Sequence, residues 1–230
     1  MMDQPRIALV NASFTTDDTR RNFFREVDAS VVEYVVNDGD IPEIPDVDGA
    51  IITGSRASVY WDEPWIEKTR QWTRDAIDAG LPVLGVCWGH QLIADALGGE
   101  VRDMGEYEIG YRSVTHDGHS ALFEGIDRTF TAFQTHSDEV VSVPLDASVV
   151  AESDVSIQAY EGDGYWGVQF HPEYDMETAR TVTKAKDNLD DDHKERALAS
   201  ITEANFRAAG QSKRVFDNFL HLVRPMQSAD

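Results

Sequence analysis

The stretch Leu81-Pro-Val-Leu-Gly-Val-Cys-Trp-Gly-His-Gln-Leu-Ile-Ala-Asp-Ala-Leu-Gly-Gly99 constrains the fold more than any other. Pro82 to Val86 is an apolar run of strand length. His90 to Leu97 reads as a helix that Gly98-Gly99 stops. Cys87 lies at the join, with Gly85 and Gly89 two residues to either side. A sharp strand-to-helix turn needs small neighbours, so the pattern is that of a nucleophile elbow with Cys in place of Ser. Such a turn lifts the sulfur to the top of a sheet. The free N–H groups and dipole of the helix start then favour the thiolate form. A lone Cys on an apolar strand is also a common core residue. The polar pair His90-Gln91 directly after it favours the elbow.

Strand and helix signals alternate around this stretch. Arg6 to Val10, Val31 to Val36 and Asp48 to Gly54 are apolar runs that predict buried strands. Thr16 to Val27 can hold a helix. Glu63 to Ala79 predicts another, with Asp62 as N-cap, Pro64 in the first turn and Gly80 past the end. Trp65, Thr69, Trp72, Ala76 and Ala79 recur at helical spacing and predict its core face. The alternation predicts an α/β fold with a doubly wound, mainly parallel sheet.

After Gly99 the pattern shifts. Glu100 to Met104, Glu108 to Thr115, Phe130 to His136, Ser148 to Glu152, Ser156 to Glu161 and Tyr165 to Phe170 predict short strands, a small antiparallel addition. From Asp175 the chain turns helical, near Met176 to Asp187, Lys194 to Ala209 and Lys213 to Val223, with Gly210 as a break. Asn188 to His193 reads as a solvated turn. With no internal repeat and no long low-complexity linker, one domain is expected over 1–230, its residues 174–230 forming a helical extension.

Charge limits the partners. Against 42 Asp and Glu there are 20 Lys and Arg, a net charge of −22, and the acids are spread along the chain. A basic nucleic-acid footprint is excluded as the main design, and an anionic membrane surface would repel the chain. An acidic partner-binding face is one reading. A surface suited to high salt, where such repulsion is screened, is the preferred one. No apolar run approaches the ~20 residues of a membrane span. No signal-peptide pattern is present, so a cytoplasmic protein is expected. A single Cys precludes an internal disulfide.

Three further features point towards Cys87. His171-Pro172-Glu173 follows the run Trp166 to Phe170. A Cys nucleophile benefits from an imidazole, and the imidazole from a carboxylate on its other nitrogen. Residues two apart in extended backbone share a side; a loop His beside a surface Glu is the plainer alternative. Thr53-Gly54-Ser55 ends a predicted parallel strand, the edge where ligand sites form in such sheets. There the N–H groups of Gly54 and Trp88 could converge on an oxyanion. Gln134-Thr-His136-Ser137 ends another predicted strand and could offer backbone groups to a polar substrate. Each of these last two is otherwise an ordinary strand-end loop. Gly162 to Gly167 matches G-x-G-x-x-G but precedes a strand, so it predicts a hairpin turn rather than a nucleotide site. His116 and His119 flank Asp117-Gly118 without supporting ligands. No metal or cofactor is expected.

Gly85-Val-Cys87-Trp88-Gly-His-Gln91 and His171-Pro-Glu173 resemble the two signature motifs of class I glutamine amidotransferases of the Cys-His-Glu type. Glu108-Ile-Gly-Tyr111 resembles a stretch between them. The resemblance runs from about Arg6 to Glu173. It implies a flavodoxin-like sheet and hydrolysis of glutamine to glutamate and ammonia. By the same resemblance Cys87 forms a γ-glutamyl thioester, His171 is general acid and base, and Glu173 orients it. Gly54 and Trp88 would bind the oxyanion, while Gln91 and backbone near His136 and Ser137 would hold glutamine. Thr53 departs from the second Gly that many members carry. The segment after Tyr174 is longer than in minimal domains and is similar to the stand-alone branch, which includes γ-glutamyl peptidases and GMP synthase subunits. A glutaminase that feeds ammonia to a separate synthetase, such as a GMP synthase, is the main expectation. A stand-alone γ-glutamyl peptidase and a non-catalytic regulatory binding protein are the alternatives.

Overall fold

β1 (Arg6–Asn11) and β3 (Gly49–Ile52) lack polar alternation and are buried almost throughout, as central parallel strands must be. In the computed structural model, which describes residues 4–41, 43, 46–187 and 189–223, they pair with each other and with two further strands. β2 (Ser30–Val35) flanks β1, and β4 (Val83–Val86) flanks β3, all parallel. α1 (Thr16–Glu26), α2 (Pro64–Asp78) and α3 (Trp88–Ala96) connect or cover them.

The second half of the sheet is antiparallel. β5 (Glu100–His116), β6 (Thr129–Ser142), β7 (Ser148–Glu152), β8 (Ile157–Gly162) and β9 (Tyr165–Val168) complete the order β2-β1-β3-β4-β9-β8-β7-β5-β6. β9 joins the halves, being parallel to β4 and antiparallel to β8. Gly85 pairs with Gly167 and Val86 with Val168. The residues that follow these two strands, Cys87 and the His171 segment, therefore emerge side by side at one sheet edge. The fold is α/β, with helices on both faces of this mixed sheet.

Several local expectations change. The runs Glu100 to Met104 and Glu108 to Thr115 form one strand, β5, with a register break between Asp103 and Glu108. Gly105 turns through that break at φ 74°, its N–H bonded to Asp103 Oδ1 at 2.7 Å. β6 continues beyond His136 because its ladder with β5 continues: Glu108 faces His136, and Asp103 faces Asp138. Gln134 to Ser137 is thus mid-strand, not a strand end. α2 starts at Pro64 with Glu63, not Asp62, as N-cap, and Glu63 makes no side-chain cap bond. Its buried face is Ile66, Thr69, Trp72, Thr73 and Ala76. Trp65 is half-buried and Ala79 exposed.

The C-terminal helices are α4 (Met176–Lys184), α5 (Asp191–Ser200), α6 (Glu203–Ala208) and α7 (Arg214–Val223). The helix expected over Lys194 to Ala209 breaks where Thr202 caps α6, its hydroxyl accepting the Asn205 N–H at 3.2 Å. The expected turn at 188–193 is mostly helix start: Asp190 accepts the His193 N–H at 2.7 Å. Asn188 lies outside the described residues, as do 224–230 of the extension. Gly210 falls in a 3₁₀ turn, Ala209–Lys213, that links α6 to α7.

α7 is not an appendage. Its Val215, Phe216, Phe219, Leu220 and Val223 join Phe23, Leu84 and Phe170 in one core on a face of the sheet. Full burial of each such side chain contributes roughly 1.5–3 kcal/mol. Trp72, Trp88 and Tyr160 belong to the core on the other face. A third cluster packs Ile109, Tyr111 and Phe133 of the antiparallel arm against Ala179 and Ala197. Asp163-Gly164 forms the predicted hairpin, with Gly164 at φ 78°. His116 is committed structurally. Its Nδ1 accepts the Gly118 N–H at 3.1 Å, and its ring stacks on Phe123 at 5.0 Å. Among the described residues no helix is long and apolar enough to cross a membrane.

Candidate active site

The elbow is dictated by close backbone approach. A Cβ on Gly85 would lie 2.3 Å from the carbonyl C and O of Gly89. A Cβ on Gly89 would lie 2.3 Å from Ile52 O. Only glycine fits either place. Between them Cys87 sits at φ 53°, ψ −102°, the one non-glycine residue with positive φ among those described. Such a conformation costs on the order of 1–3 kcal/mol and persists only where its surroundings over-determine it. Here the Cys87 N–H donates to Val168 O at 2.8 Å, and Cys87 O accepts the Gln91 N–H at 3.1 Å.

His171 is fixed from the other strand. Its N–H donates to Phe133 O at 2.9 Å, and its ring stacks on Tyr174 at 4.3 Å. His171 Nδ1 lies 2.8 Å from Glu173 Oε1, both side chains 3% exposed. His171 Nε2 is buried and has no hydrogen-bond partner among the described residues. A Cβ on Gly54 would lie 3.0 Å from His171 Cε1 and 3.9 Å from Cys87 Sγ, so the three residues meet. Burial, the largest influence on His171, disfavours the charged ring. The Glu173 carboxylate and then the charge on Cys87 outweigh it and raise the His171 pKa to about 10. Arg25 of α1 braces the segment from behind, donating to Glu173 O at 2.6 Å and to Asp175 Oδ2 at 2.7 Å.

The remaining predicted residues fall on two sides of the sulfur. Gly54 lines a cavity of ≈ 300 Å³ with Cys87, His171 and Glu173. Neither the Gly54 nor the Trp88 N–H donates to a protein acceptor among the described residues. Gln91, His136 and Ser137 line a second cavity, of ≈ 330 Å³, that Cys87 also reaches. Gln91 Nε2 donates to Asp138 O and Gln169 Oε1, both at 3.0 Å. His136 Nδ1 lies 2.9 Å from Asp138 O. Its Nε2 is 2.9 Å from Glu108 Oε2, a buried contact not aligned as a hydrogen bond.

A thiol, an imidazole held by a buried carboxylate, and free N–H groups at a helix start are equipped for acyl transfer from an amide. Residues 12–187 match the family model described as "Glutamine amidotransferase class-I". The chain belongs to the class-I glutamine amidotransferase family. The GMP synthase [glutamine-hydrolyzing] of Vibrio campbellii is 40% identical over 141 residues, 60% of this chain and 26% of that protein. The Vibrio parahaemolyticus GMP synthase is 39% identical over the same shares. The chain thus spans about a quarter of the length of these curated relatives. Among solved structures, a glutamine amidotransferase of Thermotoga maritima has a TM-score of 0.77 at 21% identity, covering 94% of this chain and 98% of that one. A candidate GMP synthase component of Thermoplasma acidophilum gives 0.69 at 21%, covering 97% and 96%. At that identity these two likenesses speak for the fold.

Within this class-I amidotransferase site, Thr53 has its own role. Its hydroxyl accepts the Ala12 N–H at 3.0 Å, and its N–H donates to Val10 O at 3.1 Å, tying the Gly54 loop to β1. Sequence reasoning missed Arg56, Tyr107, Asp138 and Lys186, which line the cavities. Arg56 stands two residues after Gly54, a usable signal. Lys186 is one of five Lys in a strongly acidic chain but is distant in sequence from every motif.

Proposed function

We propose that this class-I amidotransferase domain hydrolyses the side-chain amide of glutamine through a γ-glutamyl thioester on Cys87. The meeting of Cys87, His171 and Gly54 over the buried His171–Glu173 pair carries the reading. Cys87 Sγ adds to the amide carbon, and the Gly54 and Trp88 N–H groups take the developing oxyanion. His171 Nε2 delivers its proton to the departing nitrogen, which leaves as ammonia. The C–N bond breaks and the C–S bond remains. A water then adds to the thioester as His171 accepts its proton, and Cys87 leaves with glutamate released. Glu173 holds the ring through Nδ1 and stabilises its charge. Gln91 and the strand near His136 and Ser137 form the glutamine side of the site.

The ammonia goes to a separate synthetase. The GMP synthase relatives support this, since most of their length has no counterpart in the aligned part of this chain. One amidotransferase domain over the whole chain, a cytoplasmic setting and an acid-rich surface adapted to high salt complete the reading. No cofactor enters any step. The test is ammonia release from glutamine in molar KCl, for the protein and its Cys87→Ala variant, with and without a GMP synthetase chain. A Cys87-dependent rate that rises with the synthetase is expected. The ≈ 300 Å³ cavity on the far side of Cys87 favours a second reading, because ammonia needs no such space. Cleavage of a γ-glutamyl peptide without glutamine turnover would replace the first reading by that peptidase.

A further inference from the structure

Both cavities that meet at Cys87 share two cationic side chains, Arg56 from the loop after β3 and Lys186 from the segment after α4. The chain carries 42 acidic residues against 20 basic ones, so a cation here has an abundance of partners. Arg20, Arg25, Arg70, Arg102, Arg207 and Lys213 take one, and Arg6, Arg74, Arg112 and Arg180 bond backbone carbonyls instead. Arg56 and Lys186 form no ion pair and no side-chain hydrogen bond among the described residues. Lys186 Nζ instead sits 4.6 Å from the centre of the Tyr107 ring. Tyr107 is itself anchored, its hydroxyl 3.0 Å from Thr135 Oγ1. The ammonium is therefore held in place by an aromatic face and left unneutralised.

We propose that Arg56 and Lys186 together bind the α-carboxylate of the γ-glutamyl substrate, so that the segment after α4 selects the substrate as well as covering the site. The inference rests on the reading of Cys87 as the nucleophile for a γ-glutamyl amide. Opposite charge at the other end supports it. Asp138, hydrogen-bonded by the Tyr60 hydroxyl at 3.0 Å, lines the same ≈ 330 Å³ cavity and suits the α-ammonium of an amino acid. Electrostatics within the pocket agree. Burial, the largest influence, lowers Lys186 to about 8, with Cys87 opposing and Arg56 adding to the effect. Two like charges set close without a carboxylate leave a cost that an incoming anion removes.

Arg56→Gln and Lys186→Gln test this, with melting curves to confirm that both fold. Wild-type protein is expected to prefer glutamine over glutamine α-methylamide, which has no carboxylate. Each variant should raise KM for glutamine about 10- to 100-fold, the range for a hydrogen bond to a charged group, with kcat nearly unchanged. Turnover of the methylamide should not move, which a merely structural role would not permit. Calorimetry with L-glutamate in the Cys87→Ala background reads the same contact without turnover. Weakening by either substitution supports the carboxylate site even if the protein lacks glutaminase activity. Undiminished glutamate binding in both variants, or no binding at all in the Cys87→Ala protein, overturns it.

Discussion

Replacing Glu173 by Gln removes one charge at nearly constant volume from beneath His171. The substitution takes away a 2.8 Å charge-assisted hydrogen bond between side chains each 3% exposed. Such a bond is worth about 1.5–3 kcal/mol, or roughly 10- to 150-fold at 1.4 kcal/mol per tenfold. The amide can also hold the imidazole in the wrong tautomer, which in a Ser-His-Asp triad costs up to ~10⁴-fold. A kcat loss of about 10²- to 10⁴-fold is expected, with KM within roughly threefold. The proton linkage has a definite sign. In the native protein His171 titrates near 10, above its ordinary value of 6.5. Its contribution to stability is therefore complete below about pH 6.5 and is lost as pH rises through about 10. In Glu173→Gln the strongest raising influence is gone and burial still opposes charge. The ring should deprotonate at lower pH, and the alkaline loss of stability should begin earlier. Ammonia release gives kcat and KM, and the imidazole carbon and proton resonances of His171 give its titration. A kcat within about threefold of wild type, or an unmoved His171 titration, would refute the coupling.

Three further outcomes follow from the same structure. Gly85→Ala would drive a methyl into the Gly89 backbone, and overpacking of this kind costs about 1–3 kcal/mol or more, read as a lower urea midpoint; an unchanged midpoint would show that the elbow can shift. Arg25→Met removes the brace on Glu173 O and should lower kcat about tenfold with KM unchanged, since Arg25 positions the segment without reaching either cavity; an equal rise in KM would contradict this. With a net charge of −22, the melting temperature should rise between dilute buffer and molar KCl, and a flat response would remove high salt as the reason for the acid surface.

The parts of this molecule legible in the sequence are those set by local backbone demands. Gly85, Cys87 and Gly89 announce their turn because no other small set of residues satisfies those approaches. His171 and Glu173 stand two apart and do pair, but across a turn at Pro172-Glu173 rather than along the extended backbone that the spacing suggested. Long-range ladders left weaker traces. The register break at Gly105 carries the residues of a turn, so β5 reads as two strands. Whether β6 ends at His136 depends on its partner strand, which no window of its own sequence contains. Thr202 looks like a mid-helix residue until its hydroxyl is seen capping α6. Arg56 and Lys186 are brought together only by the tertiary fold, 130 positions apart in numbering (186 − 56).

Cys87 is the chain's sole sulfhydryl as well as its elbow residue. Oxidants therefore act on this protein at one sulfhydryl alone. A sulfenic acid formed there has no neighbouring thiol in the chain with which to close a disulfide. Its rescue as a disulfide then needs a thiol from outside the chain, failing which further oxidation leads to the irreversible sulfinic form. Loss of turnover under peroxide should then track one thiol per chain, and an alkylating probe counts intact sites in the unmodified protein.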